Sequence, residues 1–336
     1  MRLILAGFGV VGQSFAKLIV ASEPQLATAY GLVPQVVAVM DSSGAVVDEH
    51  GLNLKRLIAL KREKKGIAGP VRGKRSLDVI REVEAEVLVE ATPTNFRDGE
   101  PGLSHIRAAF ETKKHVVTCN KGPLAVAFQA IHELARHNGV QLRFSGAVGG
   151  GTPILDFGRT CSLGDRLVGM KGVLNGTCNY ILTSMEEKGT SFGDALESAQ
   201  KAGYAETDPA LDIDGIDAAV KLVIAANHLA LSRSGLDDVK IKGIRDISAG
   251  AVEDAKRKGK AVRLIASAGG RLSVEPVLLE RSDPLCVNGT NNAVQFDCLY
   301  SGPKVIIGKG AGGPETASSL LRDLIEIRAG MNGAGY

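Results

Sequence analysis

The sequence predicts an α/β protein built from a parallel-sheet domain followed by a mixed α+β domain. Three observations carry this. A short apolar run at residues 3–6 ends in a glycine-punctuated turn; strand-like and helix-like segments then alternate to about residue 140; beyond Gln141, glycine clusters and an acidic loop replace that alternation. The expected boundaries are 1–140 for the first domain, 141–303 for the second, and 304–336 for a tail that returns to the first. With 336 residues, 44% of them hydrophobic, the chain has core enough for both domains.

The first strand, residues 3–6, leads into Gly7-Phe8-Gly9-Val10-Val11-Gly12 and then an amphipathic helical segment at 13–21. Glycines at that spacing suit a tight turn, close approach of backbone to a pyrophosphate, and close packing of helix on strand, with the helix N-terminus facing the phosphates. A Rossmann-type dinucleotide site is therefore expected, lined by Phe8, Gly9, Val10, Val11 and Gly12. The second strand, 36–40, ends in Asp41, whose carboxylate would accept a hydrogen bond from a ribose 2′-hydroxyl and repel a 2′-phosphate. That favours NAD, while Ser42, Ser43, Lys55 and Arg56 lie near enough in sequence to offer NADP a phosphate pocket. Asp41 comes later than the usual spacing of about 20 residues, so 23–34 reads as an insertion in the first helix or its loop.

Residues 54–65 place Leu54, Leu57, Ile58 and Leu60 on one helical face and Lys55, Arg56, Lys61, Arg62, Lys64 and Lys65 largely opposite, the pattern of a solvated basic face. Further strands are expected at 87–91 and 116–119. Ligands in an open sheet of this kind sit beyond the carboxyl ends of the strands. Thr92-Pro93-Thr94-Asn95 follows one such end, to line a nicotinamide pocket or simply to stop the strand, and Asn120-Lys121-Gly122-Pro123 follows the other, aiming Lys121 at the same crevice.

The second domain opens on a strand-like 141–144 and a run from Gly146 to Pro153 whose glycines fit a ligand or ion loop, or a hinge. A strand at 167–174, the turn Asn175-Gly176-Thr177 and a helix to about 187 follow. Next comes a loop crowded with acids, and from it a helix at 218–231 in which Lys221 is the only formal charge. A helix apolar nearly all round is usually buried. Asp217 stands one turn before Lys221 and stacks on the same face. If Asp214 merely capped this helix and the pair were solvated, it would contribute only about 0.2–0.5 kcal/mol. Buried, it would cost several kcal/mol per ion to desolvate, a poor structural bargain that points to function. A strand at 304–307, a glycine-rich turn at 308–314 and a helix at 316–328 close the chain; the turn lacks the Lys-Ser or Lys-Thr of a P-loop.

Composition narrows the partners. The net charge is only +3, there is no Trp, and Phe and Tyr are few, so no aromatic and basic face points to nucleic acid. Glycines interrupt the N-terminal apolar run before it could serve as a signal peptide, and no run approaches the roughly 18 residues that span a bilayer. Cys119, Cys161, Cys178, Cys286 and Cys298 lack CxxC spacing, which fits reduced thiols in a cytoplasm and neither a zinc site nor a disulfide framework. Small-molecule chemistry remains.

Taken together these motifs resemble homoserine dehydrogenase, over essentially the whole catalytic chain. The most specific part is the pattern A-x3-G-[apolar or aromatic]-x3-4-D-P-x2-D-[apolar]-x-G-x-D-x3-K, met by Ala199, Gly203, Tyr204, Asp208, Pro209, Asp212, Ile213, Gly215, Asp217 and Lys221. The resemblance implies NAD- or NADP-dependent interconversion of L-homoserine and L-aspartate 4-semialdehyde, in the pathway to threonine, methionine and isoleucine. It puts the catalytic lysine on Lys221 with its partner acid on Asp217, and a second active-site lysine on Lys121. Substrate ligands fall on Glu206 and Asp212, with Gly203, Gly176 and Thr177 nearby; cofactor contacts fall on residues 8–12, Thr92, Lys121 and Gly312. It also implies a homodimer and a sodium-like ion on backbone oxygens around Val148, Gly150 and Thr152, although a glutamate that contributes in some members is replaced by Ser145. With the sequence running to Tyr336, neither an additional amino-acid-sensing domain nor threonine inhibition through one is expected.

A free lysine has a pKa of about 10.4; desolvation would lower it and Asp217 would oppose that fall. Lys221 is then expected to stabilise the developing alkoxide and donate a proton during reduction, with a bound water as immediate base during oxidation and Lys121 as the rival for the role. Two other readings stand: Cys119 as the thiol of a phosphorylating semialdehyde dehydrogenase, and a non-enzymatic nucleotide-sensing scaffold.

Overall fold

The computed structural model describes residues 1–64, 66, 67 and 75–331. Lys65 of the basic helix and the last five residues of the tail lie outside the described residues. The chain divides into two compact units, one of Met1–Ala147 with the tail from Gly312, the other of Val148–Ala311.

In the first unit a six-stranded sheet has the order β3-β2-β1-β4-β5-β6, with β1 Arg2–Ala6, β2 Gln35–Asp41, β3 Gly44–Val47, β4 Val87–Glu90, β5 His115–Thr118 and β6 Leu142–Arg143. All neighbours are parallel except β3, which pairs antiparallel with β2 at the edge. The strands read as continuous apolar runs because helices cover both faces, as parallel sheets require. Residues 23–30, read from sequence as part of an insertion, lengthen the first helix to Val10–Tyr30, with Pro24 inside it and Gly31 in the left-handed region at its end. β6 belongs to this sheet, so the first unit runs to Ala147 and not to 140. The tail helix Gly313–Met331 buries Ala317, Leu320, Leu324 and Ile327 in one core with Leu5, Phe15 and Ile19. Its buried Asp323 accepts hydrogen bonds from Ser145 N (2.9 Å) and Ser145 Oγ (2.6 Å).

The second unit carries its own sheet, β12-β11-β7-β9-β10-β8, with β7 Leu167–Val173, β8 Lys240–Ile241, β9 Lys260–Ala268, β10 Ser273–Glu280, β11 Asn291–Cys298 and β12 Gly302–Lys309. Neighbours are antiparallel except β8 with β10. β12 pairs with β11 along eight residues, so 304–307 completes this sheet and the returning tail begins at Gly312. Fully buried Arg263 on β9 donates to Glu186 (2.9 Å), to Val287 O (2.9 Å) and to Asn288 Oδ1 (2.8 Å), fastening the segment between β10 and β11 beneath the strand. The helix Ile216–His228 is buried at every position from Asp217 to Ala226.

Candidate active site

At the end of β1 the backbone geometry explains each glycine separately. A Cβ on Gly12 would stand 2.1 Å from Gly7 O, so close packing of helix on turn excludes any side chain there. Among the described residues a Cβ on Gly9 would meet nothing within 4 Å. Their packing places no demand on Gly9, and the space above it suits an approaching pyrophosphate. Gly9 is also the N-cap of the first helix, with no side-chain cap, which leaves first-turn amides for an anion. Val10 is 74% exposed, whereas Phe8 is wholly buried in the core and offers a ligand its backbone alone. Gly312 lies exposed just before the tail helix, and a Cβ on Gly313 would come within 2.8 Å of Val10 Cγ1 and Ser14 Oγ. Two helix N-termini thus converge beside the glycine turn. These residues fit a dinucleotide.

Asp41 stands at the end of β2 but its carboxylate is already engaged. Oδ1 accepts from Ser43 N (2.7 Å) and Ser43 Oγ (2.6 Å), and Oδ2 pairs with Lys61 Nζ at 2.5 Å. Burial alone would raise its pKa; the bonds from Lys61 and Ser43 outweigh that and hold it below the ordinary aspartate value. Lys61, grouped by sequence with a solvated face, is instead largely covered because its ammonium reaches this acid.

The ends of β4 and β5 are joined by a buried carboxylate that the sequence reading missed. Glu90, fully buried, accepts from Thr92 N (3.1 Å), Thr92 Oγ1 and Thr118 Oγ1 (3.2 Å). Asn120 Nδ2 donates to Thr92 Oγ1 (3.3 Å), and Asn120 Oδ1 accepts from Gly122 N (3.0 Å), capping the helix Lys121–Asn138. Thr92 and the first residue of that helix, Lys121, are thereby set by one network. A charge ending the apolar run Val87-Leu88-Val89 was its only sequence signal.

In the second unit, Lys221 Nζ lies 2.7 Å from Asp217 Oδ2 and donates to Leu174 O at 2.9 Å. Asn175, another residue the sequence reading did not assign, donates through Nδ2 to Asp212 Oδ1 (2.7 Å) and to Asp217 Oδ2 (3.0 Å). The structure therefore brings Lys221, Asp217 and Asp212 together around one amide. Burial pushes the Asp212 pKa up, the Asn175 bond opposes this, and the charge on Asp217 adds to the rise. Asp214 turns away to pair with Arg245, whose hydrogen bonds hold its carboxyl low, and the helix cap falls to Gly215 at φ +83°. Thr177 Oγ1 donates to Tyr204 O (2.7 Å), latching the loop that carries exposed Gly203 and Glu206 to the turn at Gly176. Gln200 Nε2 adds a bond to Glu206 O at 3.1 Å.

On the loop after Ala147, Val148 and Thr152 are buried and Gly150 adopts φ +56°. Thr152 is committed, its Oγ1 donating to Lys309 O (3.0 Å) and its carbonyl accepting from Ile154 N (2.8 Å). Cys119 at the end of β5 has its thiol pushed up to about 12, chiefly by burial and then by the charge of Glu90.

Two family models divide the chain: one for the NAD binding domain of homoserine dehydrogenase matches residues 7–145, and one for homoserine dehydrogenase matches residues 153–325. The chain belongs to the homoserine dehydrogenase family. It is 43% identical over 331 residues to a homoserine dehydrogenase of Methanocaldococcus jannaschii, covering 97% of this chain and 98% of that protein. It is 39% identical to an NAD(+)-dependent homoserine dehydrogenase of Pseudomonas canavaninivorans, covering 97% and 96%. A hyperthermophilic archaeal homoserine dehydrogenase in complex with NADPH superposes with a TM-score of 0.84 at 27% identity, covering 97% of each chain.

Proposed function

We propose that this protein oxidises L-homoserine at C4 to L-aspartate 4-semialdehyde and runs the reverse reduction, using NAD or NADP, with Lys221 as the residue that faces the reacting oxygen. The observation that carries the reading is a buried ammonium held by Asp217 and Leu174 O, with the carboxylate of Asp212 tied to the same cluster through Asn175. A covered ion pair of this kind costs hydration energy for which structure alone gives little reason, and its ammonium suits a charge that develops during reaction. When bound, the nicotinamide supplies or receives the hydride. Glycine turn, Thr92, Lys121 and Gly312 would hold it, while Asp41 and Lys61 would meet the ribose. Asp212 and Glu206 bind the substrate ammonium; Gly176, Thr177 and Gly203 border them. In the reducing direction Lys221 stabilises the alkoxide while a water hands it the lysine's proton, and in the oxidising direction the same water carries the proton back to the lysine.

The same reading includes a place in threonine, methionine and isoleucine synthesis, a cytoplasmic setting supported by five free cysteines, and a homodimer supported by exposed apolar Ile307 beside Val305 on β12. A monovalent cation would rest on backbone oxygens near Val148, Gly150 and Thr152.

A thioester-forming dehydrogenase through Cys119 is disfavoured, because a thiol with a pKa of about 12 yields almost no thiolate at neutral pH. The test is a steady-state assay of homoserine oxidation with NAD and NADP side by side. Homoserine-dependent reduction of either nucleotide is expected; its absence with both overturns the reading.

A further inference from the structure

We infer that Asn175 is a positioning residue for the reaction: its side-chain amide is the donor that lets two neighbouring acids serve different partners, Asp212 the substrate ammonium and Asp217 the lysine. This rests on the homoserine reading for the identity of the substrate, though not for the geometry.

Every polar atom of the Asn175 side chain is assigned. Oδ1 accepts from Cys178 N at 2.8 Å, capping the helix Gly176–Lys188. Nδ2 spends its two hydrogens on Asp212 Oδ1 at 2.7 Å and Asp217 Oδ2 at 3.0 Å. Rotating the amide by half a turn would set a carbonyl against two carboxylates and an NH2 group against a backbone N–H, so only one orientation is satisfied. The residue is buried, and so is Asp217, while Asp212 is half-buried. Two carboxylates held this close repel and tend to share a proton. The amide opposes that by donating to both at once. Asp217 Oδ2 then holds Asn175 on one side and Lys221 Nζ on the other, and the lysine is further fixed by the carbonyl of Leu174, the residue just before Asn175. Residues 174 and 175 therefore organise both the cation and the acids. A neutral group that cannot itself titrate thus stands between Asp212 and the Asp217–Lys221 pair.

The cap and the amide donors are separable by substitution. Asp and Ser both cap helices well, so Asn175→Asp and Asn175→Ser keep the acceptor for Cys178 N while removing the amide NH2 that bridges the two acids. Asn175→Asp also adds a third carboxylate to the cluster. The expected result is a fall in kcat/KM for homoserine of roughly 10- to 100-fold in both variants, with NAD and NADP affinity unchanged and Tm at acid pH close to that of the unmodified protein. In Asn175→Asp the acid limb of the kcat/KM profile should move to higher pH. A second measurement needs no substrate: the Tm of Asn175→Asp should fall relative to Asn175→Ser as pH rises from about 4 to about 8, because ionising three clustered acids opposes folding. Unchanged kcat/KM and parallel Tm profiles would overturn the inference, as would a loss of activity matched by equal loss of nucleotide affinity or by unfolding at every pH. If the unmodified protein did not oxidise homoserine, the functional reading would fail while the Tm comparison still decided the role of the amide.

Discussion

Lys221 and Asp217 form an ion pair one helical turn apart, 2.7 Å from Nζ to Oδ2, with side chains only 9% and 12% exposed. An exposed pair at that spacing would contribute a few tenths of a kcal/mol; withdrawing it from water reverses the balance, because each ion loses several kcal/mol of hydration. The fold tolerates the pair in part because Leu174 O and Asn175 Nδ2 add hydrogen bonds to its two ends.

Lys221→Ala should lower kcat for homoserine oxidation by about 10²- to 10⁴-fold, the range of a positioned proton donor. It should also destabilise the protein by about 3–5 kcal/mol, since Asp217 would be left as a buried charge without its cation. Pairing it with Asp217→Asn should return much of the stability and none of the activity. Denaturant melts and steady-state rates on the single and double variants separate the effects, and near-normal turnover in Lys221→Ala would remove this lysine from the mechanism.

Lys121 belongs to the cofactor-binding unit and begins the helix that Asn120 caps. Lys121→Ala should weaken nucleotide binding together with turnover, while Lys221→Ala leaves nucleotide affinity within about twofold, well under the tenfold that 1.4 kcal/mol would give. Fluorescence titration of NADH and NADPH against both variants reads the difference. The same loss of nucleotide affinity in both would mean that the two lysines do not divide the work as proposed.

Much of this was legible in the sequence, and the parts that were not share a cause. The glycine turn, β1, β2, β4, β5 and the Lys221 helix are written in local patterns: apolar runs closed by turn residues, or a 3.6-residue repeat with one charge in it. β9 is buried on both faces and has Arg263 in its middle, so neither alternation nor apolar continuity marks it; the arginine is accommodated only by Glu186, Val287 and Asn288, which are distant in sequence. Lys61 looked solvated for the same reason, because its partner Asp41 lies on another element. Asn175 was visible as a turn residue, but its task exists only once Asp212 and Asp217 are folded against it.

The Asp41 and Lys61 pair bears on nucleotide choice. A lone carboxylate at the end of β2 would repel a 2′-phosphate, but here a lysine already neutralises it and stands beside it. Lys61→Ala should therefore weaken NADP binding more than NAD binding, by about 5- to 20-fold in the ratio of dissociation constants, and more strongly at low salt. An equal effect on both nucleotides would show that Lys61 supports the fold of this corner without reading the ribose.

Asp212 supplies the pH-dependent test. Its folded-state pKa is raised above the 3.8 of an ordinary aspartate, by burial first and with the charge of Asp217 adding to it. The sign follows directly: the folded protein holds this proton more tightly than the unfolded chain does, so the contribution to stability is present at low pH and is lost as pH rises through the folded pKa. The proposed binding of the substrate ammonium needs the opposite state, the ionised carboxylate. Under that proposal function and stability pull against each other at this residue. Asp212→Asn should keep the Asn175 bond through its own carbonyl oxygen, leave Tm at neutral pH equal to or above that of the unmodified protein, and remove its advantage at acid pH. It should also lower kcat/KM for homoserine by roughly 10- to 150-fold, the worth of one charge-assisted hydrogen bond, with the loss expressed mainly in KM. Melting curves from about pH 4 to about pH 8 alongside substrate titrations would expose a contrary outcome at once: a large Tm loss at neutral pH would mean that the ionised acid stabilises the fold, and that its place in the cluster is structural.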